Sequence, residues 1–304
     1  MSKKIIINDV GPRDGLQNQP KVLTTQHRQQ LCQALIDAKV PAIEVGAFVS
    51  PKAVPAMANT TEVLSGLPKG KAQYSALIPN MRGYQMARDA QVPLMSLVVA
   101  ASNTMNQKNI NMGTEQAMDM CQEVLHQARQ DGTQVQAYVA TAWGCPFEGH
   151  VPAAAVKSLA ERLLNAGAKH IVIADTIGAA NPLGAEHLCL DLVDTFGSQQ
   201  LSCHFHDTRA MGLANAYAAV RAGIRKFDSS IAGLGGCPFA PGASGNVATE
   251  DLVMMFEQMG FDTGIDMQAL LKAADLAIEL TGTAKGGKAK SWIEMYYQKL
   301  PAVS

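Results

Sequence analysis

Two histidines stand one residue apart in LSCHFHDTRAMGLAN (Leu201 to Asn215), and an aspartate follows them directly. Alternate side chains of a β-strand point the same way, so His204 and His206 share one face while Cys203 and Phe205 share the other. A lone histidine is usually a packed or surface residue; two at this spacing near a strand end point to a metal site. Two oxygen donors complement them: Asp14 in GPRDGLQ and Asn246 at the end of GLGGCPFAPGASGN. Two nitrogens and two oxygens without a thiolate suit octahedral Mg²⁺ or Mn²⁺, with water or substrate completing the shell, and are compatible with Zn²⁺. Cys237 lies in the same stretch, residues 233–246, among five glycines and two prolines. An ordinary flexible connection or a phosphate cradle would also use such a loop. Core packing explains a cysteine there poorly, which points to a catalytic thiol acting as acid or nucleophile.

Further candidates are weighed against plainer roles. Arg13, before Asp14, reads either as a surface ion pair worth little or as a fixed cation facing developing negative charge. Asp175 in ADTIG is either a helix N-cap or a site acid. Glu250 and Asp251 open a helical pattern, where the helix dipole alone would favour one acid. Cys145, in GCPFEG, reads as a pocket wall, and Cys32, Cys121 and Cys189 fall on helical patterns as core residues.

These residues need a scaffold that brings them together. Short apolar runs rich in β-branched residues predict strands at 5–10, 42–48, 73–78, 94–101, 135–143, 170–176, 201–207 and 226–233. Helical patterns lie between them, including 24–39, 114–132 and 152–167; the last has Pro152 near its start and Gly167 past its end. Eight βα units over about 250 residues predict an α/β fold, a (β/α)₈ TIM barrel over residues 1–260. Residues 261–304 follow as an appended C-terminal helical region packed on it. A doubly wound sheet is the alternative, but DVGPRDG after the first strand is not GxGxxG. In a barrel the C-terminal strand ends carry the chemistry. Arg13, Asp14, Glu44, Cys145, Asp175, His204, His206, Cys237 and Asn246 all fall at or after such ends, with strand one closing against strand eight.

Composition narrows the function. The 304 residues carry a net charge of −1, with 47% hydrophobic and 17% charged residues. That balance argues against nucleic acid or an anionic membrane as partner. The apolar run in MSKKIIINDV is too short for an export signal, none later approaches membrane length, and the six cysteines form no CxxC pair. A cytoplasmic location with reduced thiols is expected.

The motifs NDVGPRDGLQNQP, FVSPKAVPAM, KNIN, GCPFEG, ADTIG, HFHDT and AGLGGCPFAPGASGNVATEDLV resemble the 3-hydroxy-3-methylglutaryl-CoA lyase family over residues 5 to about 260. The isopropylmalate and homocitrate synthase branch shares the RDG and HxH but lacks the cysteine loop. The resemblance implies that Asp14, His204, His206 and Asn246 hold the divalent cation and Arg13 stabilises a thioester enolate. It implies that Cys237 protonates the departing acetyl-CoA carbanion. Glu44, Asp175 and Glu250 match positions that line or support the site. The implied substrate is an acyl-CoA and the assembly a homodimer. The implied reaction is retro-Claisen cleavage to acetyl-CoA and acetoacetate. A hard metal, an arginine and a thiol meet its needs: an alkoxide, an enolate and a proton. The base, Asp14 or a histidine, is open.

The chain departs from the family pattern at Val45-Gly46, Ala47, Thr141 and Arg209. The first three are expected beside the acyl pocket. Arg209, where the family commonly has tyrosine, is expected at its rim. There it would pair with a surface carboxylate or CoA phosphate, or bind a substrate carboxylate placed on the hydroxyl-bearing carbon, as in citramalyl- or malyl-type thioesters. Lys285, Lys288 and Lys290 read as a solvated basic tail that could meet CoA phosphates. A metallohydrolase barrel would carry its HxH on the first strand, and a non-catalytic barrel would have no reason to assemble metal ligands, arginine and thiol together.

Overall fold

In the computed structural model, which describes residues 3–236 and 245–299, eight parallel strands close a barrel. The strands, in chain order, are β1 (Ile6–Asp9), β2 (Ala42–Ala47), β3 (Gln73–Leu77), β4 (Leu94–Ala100), β5 (Val135–Ala140), then β6 (Gly144–Cys145) and β7 (Gly149–His150), then β8 (Ile171–Asp175), β9 (Leu201–Phe205) and β10 (Lys226–Ser229). Around the barrel they run β1-β10-β9-β8-β5-β4-β3-β2, with β1 pairing β10 from Ile6↔Lys226 to Asp9↔Ser229. The short β6 and β7 form a separate antiparallel hairpin around GCPFEG.

Strand alternation sorts the two faces of this sheet. Ile5, Ile7, Ile43, Val45, Leu97, Val139, Ile173, Leu201, Cys203 and Phe227 join one large apolar cluster with the surrounding helices. The other face puts Asn8, Glu44, Ser75, Ser96, Gln136, Tyr138, Ser202, His204 and Asp228 inside the barrel, beside a small apolar cluster of Tyr138, Val172 and Ala174. The hydrophobic effect therefore acts mainly between sheet and helices, and the barrel interior is free to carry polar groups, each of which needs a partner.

Several predicted strands stop early. The fifth ends at Ala140 because Thr141 adopts φ 56°, and the eighth ends at Ser229 before Ala232 at φ 55°. Left-handed backbone at a residue with a Cβ cannot continue a strand. The helix predicted at 152–167 spans Ala153–Ala166, with Pro152 at its N-cap and Gly167 at φ 114° after it. Beyond residue 260, Ile5 N–H donates to Asp262 O at 2.9 Å, and the helix Met267–Thr281 buries Leu270, Ala273, Ala274 and Ala277 on the barrel's helical layer. Helix Lys290–Lys299 follows. Among the described residues no helix is long and apolar enough to cross a membrane.

Candidate active site

The chain leaves β1 through a π-helical turn, Gly11–Gly15, that sets Arg13 and Asp14 over the barrel mouth. Arg13 is the hub of the charge there. Its Nε donates to Glu44 Oε2 at 2.5 Å and its Nη1 to Asp14 Oδ1 at 2.7 Å. Glu44 is fully buried in β2. Burial pushes its carboxyl up, against the Arg13 charge, while two carboxylates raise the Arg13 guanidinium in spite of its own desolvation. This is a buried ion pair with a second acid on the same cation, not a surface bridge.

Asp14, His204 and His206 each offer a ligand atom, and these atoms lie within 4.8 Å of one another. His204 sits in β9. His206 lies just beyond it, where an antiparallel bridge to Asn246 brings in the end of the glycine-rich loop. Asn246 donates Nδ2–H to Asp14 Oδ2 at 2.8 Å and to Leu234 O at 3.2 Å. Among the described residues its Oδ1 is buried without a partner, as are His206 Nδ1 and Glu44 Oε1. Orphaned acceptors beside an anionic carboxylate are what a hard cation would satisfy, so the donor set fits a divalent metal.

Electrostatics suit that role. Burial opposes ionisation of Asp14, but the Arg13 charge, with those of His204 and His206, holds it well below the usual carboxylate range. Burial, then the neighbouring His204, pushes His206 down to about 4, leaving a neutral imidazole at neutral pH. For His204 burial works against protonation, but its contact with Asp228 outweighs it and raises the group.

Other candidates serve as braces. Asp175 accepts from the backbone N–H of Ala179 and Ala180, at 2.7 and 3.2 Å, so it ties down the loop after β8; Asn181 caps the next helix. Burial raises its carboxyl to about 6. Glu250 accepts from Ala232 N–H at 3.1 Å and Gly287 N–H at 2.7 Å, joining the loop after β10 to the C-terminal segment. Cys145 is buried in the apolar core and accepts the Ser102 hydroxyl at 2.9 Å. Cys237 lies outside the described residues; the described residues nearest it on either side are Gly236 and Gly245, next to Asn246.

Three expectations are corrected. Val45 and Ala47 belong to the apolar layer between barrel and helices. A register irregularity between Glu44 and Gly46 turns Gly46 outward, where a Cβ would stand 2.5 Å from Arg28 Nη2 and Thr60 Oγ1. These departures accommodate the buried Arg28, which holds the Val45 and Ala58 carbonyls, and they do not face the acyl pocket. Arg209 donates Nε–H to Gly178 O at 2.6 Å and Nη2–H to Ala180 O at 2.9 Å, which commits its fork to the loop after β8. The basic segment is not simply solvated: Lys288 pairs with Asp207 at 2.6 Å, and Lys290 pairs with Asp275 and Glu294.

The sequence reading missed Asp228 and Tyr138. Asp228, inside β10, lies 3.1 Å from His204 Nδ1 and receives the Tyr138 hydroxyl at 2.7 Å and Asn8 Nδ2–H at 2.9 Å. An acid at an inward position of a barrel strand, level with a histidine on the strand before it, was the available signal.

Beside Asn246 opens a cavity of about 580 Å³, lined by Ala232–Gly235 and by the segment Thr283–Lys288. Comparison with known proteins agrees with the geometry. Residues 4–277 match the HMGL-like family. The hydroxymethylglutaryl-CoA lyase of Bacillus subtilis is 41% identical over 92% of this chain and 94% of its own. The (R)-citramalyl-CoA lyase of Chloroflexus aurantiacus is 40% identical over 89% of each. The structure of an HMG-CoA lyase from Acinetobacter baumannii, in complex with coenzyme A and 3-methylmalate, superposes with a TM-score of 0.91 at 39% identity, covering 96% of this chain and 95% of that one. With a closed parallel barrel, a buried arginine and an Asp-His-His trio at its mouth, the chain belongs to the HMGL-like family and is a carbon–carbon lyase.

Proposed function

We propose that the protein cleaves 3-hydroxy-3-methylglutaryl-CoA to acetyl-CoA and acetoacetate, using Mg²⁺ or Mn²⁺ held by Asp14, His204, His206 and Asn246. The convergence of these four residues from β1, β9 and the loop after β10 carries the reading. When bound, the cation supplies Lewis-acid stabilisation of negative charge on substrate oxygen. The residues do the rest. A carboxylate or imidazole of the site takes the C3 hydroxyl proton. The C2–C3 bond breaks, its electrons pass into the thioester enolate, and the C3 oxygen becomes the ketone of acetoacetate. Arg13 faces the enolate charge, and the Cys237 thiol returns a proton to C2. Glu44 fixes the Arg13 fork, while Asp175 and Glu250 hold the loops in place.

The cavity beside Asn246, with Lys285 and Lys288 along one wall, suits an acyl-CoA, and a relative of 39% identity binds coenzyme A. We also assign a homodimer in the cytoplasm, with residues 261–304 as an extension of the barrel. Light scattering should then give twice the 32.3 kDa of one chain. A second reading, cleavage of a citramalyl- or malyl-type thioester, is favoured by the 40% identity to a citramalyl-CoA lyase and by the 3-methylmalate in a relative. That compound carries a carboxylate on its hydroxyl-bearing carbon.

The deciding experiment follows ketoacid release from the three thioesters. Dialysis against chelator should abolish turnover, Mg²⁺ or Mn²⁺ should restore it, and His204→Ala or His206→Ala should lower kcat by several orders of magnitude. Full turnover in excess chelator would refute the metal assignment; release from the citramalyl or malyl ester alone would establish the second reading.

A further inference from the structure

Asp228 is 5% exposed and sits inside the barrel. Three side chains from three strands converge on it. Asn8 of β1 donates to Oδ1 at 2.9 Å, while Tyr138 reaches from β5 to Oδ2 at 2.7 Å and His204 Nδ1 of β9 stands 3.1 Å from the same oxygen. Asp228 and His204 are also register partners in neighbouring strands, so the backbone ladder fixes their spacing. A carboxylate accepts only, so this geometry requires the proton of a neutral His204 to lie on Nδ1, which leaves Nε2 as its one free nitrogen. His206 has no such anchor among the described residues, where its Nδ1 is buried without a partner.

We propose that Asp228 is a positioning residue for the metal centre, holding His204 by its Nδ1–H so that Nε2 faces Asp14 and His206. The inference rests on the metal reading above and concerns a residue that never meets the ion. A carboxylate behind a ligating histidine fixes both tautomer and ring angle, and losing it typically costs 10–100-fold in metal affinity. Asn8 and Tyr138 hold the carboxylate in turn, so the anchor extends across the barrel.

The test reads Mn²⁺ affinity by electron paramagnetic resonance, independent of turnover. Asp228→Ala should weaken Mn²⁺ binding about 10–100-fold, because it removes the acceptor that holds His204 Nδ1–H. Asp228→Asn should keep most of the affinity, since its amide oxygen still accepts from His204 and Tyr138 while the Asn8 amide turns to accept from its Nδ2–H. Wild-type affinity in a folded Asp228→Ala protein, or an Asp228→Asn protein as weak as Asp228→Ala, overturns the proposal. If the variants fail to fold, the wild type still decides. Nitrogen-15 histidine spectra of the Mg²⁺-loaded protein should place the His204 proton on Nδ1, and a proton on Nε2 overturns the proposal. A wild type that binds Mn²⁺ with this pattern yet cleaves none of the thioesters would sink the proposed function and leave the positioning role standing.

Discussion

Arg209 shows how a single side chain changes meaning between sequence and structure. As a cation beside the HxH it could serve a substrate carboxylate; in the fold its Nε and Nη2 are already spent on Gly178 and Ala180 carbonyls. Arg209→Tyr should therefore lower the melting temperature by a few degrees, through loss of about 1 kcal/mol of hydrogen bonding at a part-exposed site. It should leave the preference between hydroxymethylglutaryl- and citramalyl-CoA unchanged. A tenfold swing in relative kcat/KM would return Arg209 to the substrate. The pairing of His204 and His206 was legible because HxH is a local pattern whose geometry follows from strand alternation alone. Asp228 and Tyr138 were not, because their meeting depends on which strands face each other across the closed barrel, and no local spacing encodes that.

The strands themselves were readable because parallel barrel strands are buried on both faces and stand out as apolar runs. Their ends were not: Ala142 and Trp143, and Ile231 and Ala232, prolong the apolar runs, and the turn is made by positive φ at Thr141 and Ala232, residues without a turn signature. One such end carries a pH-dependent joint. Asp9 closes β1, points outward, and accepts from Gly11 N–H at 2.8 Å and Thr249 Oγ1–H at 2.6 Å at the start of the helix Thr249–Gln258. Burial raises its carboxyl to about 7, and burial likewise raises the adjacent Glu250 to about 7. Both values exceed the unfolded ones near 4, so between these limits the native state binds more protons than the unfolded state. The contribution to stability is fully present below about pH 4 and declines as pH rises through about 7. Melting temperatures measured from pH 4.5 to 7.5 should fall more steeply for wild type than for Asp9→Asn. Equal slopes would show that Asp9 does not titrate in this window.

Across the whole molecule the segment past residue 260 is part of the barrel's stability. Helix Met267–Thr281 presents Met267, Leu270, Leu271 and Leu280 as buried side chains, and Ile265 joins them. At about 2 kcal/mol for each large side chain removed from water, these five represent roughly 10 kcal/mol, the scale of a domain's entire net stability. Deleting residues 261–304 should give a chain without a cooperative unfolding transition in circular dichroism. A truncated protein that melts like the full one would show the extension to be dispensable. The extension's helical pattern was plain in sequence; its pairing with the very first residues, through Ile5 and Asp262, was not.

That pairing, with the β1–β10 seam, orders events as the chain leaves the ribosome. The first strand made has its second neighbour only when residues 226–229 emerge, so the sheet stays an open ribbon with bare edges through most of synthesis. Asp14 waits on one edge while His204 and His206 arrive on the far side, and Asn246 comes later still. An intermediate of 200 residues has no place for the ion, however much secondary structure it has gained. Tight Mn²⁺ uptake by nascent chains of increasing length should therefore switch on only after the eighth barrel strand is available, making the cation a reporter of ring closure during translation.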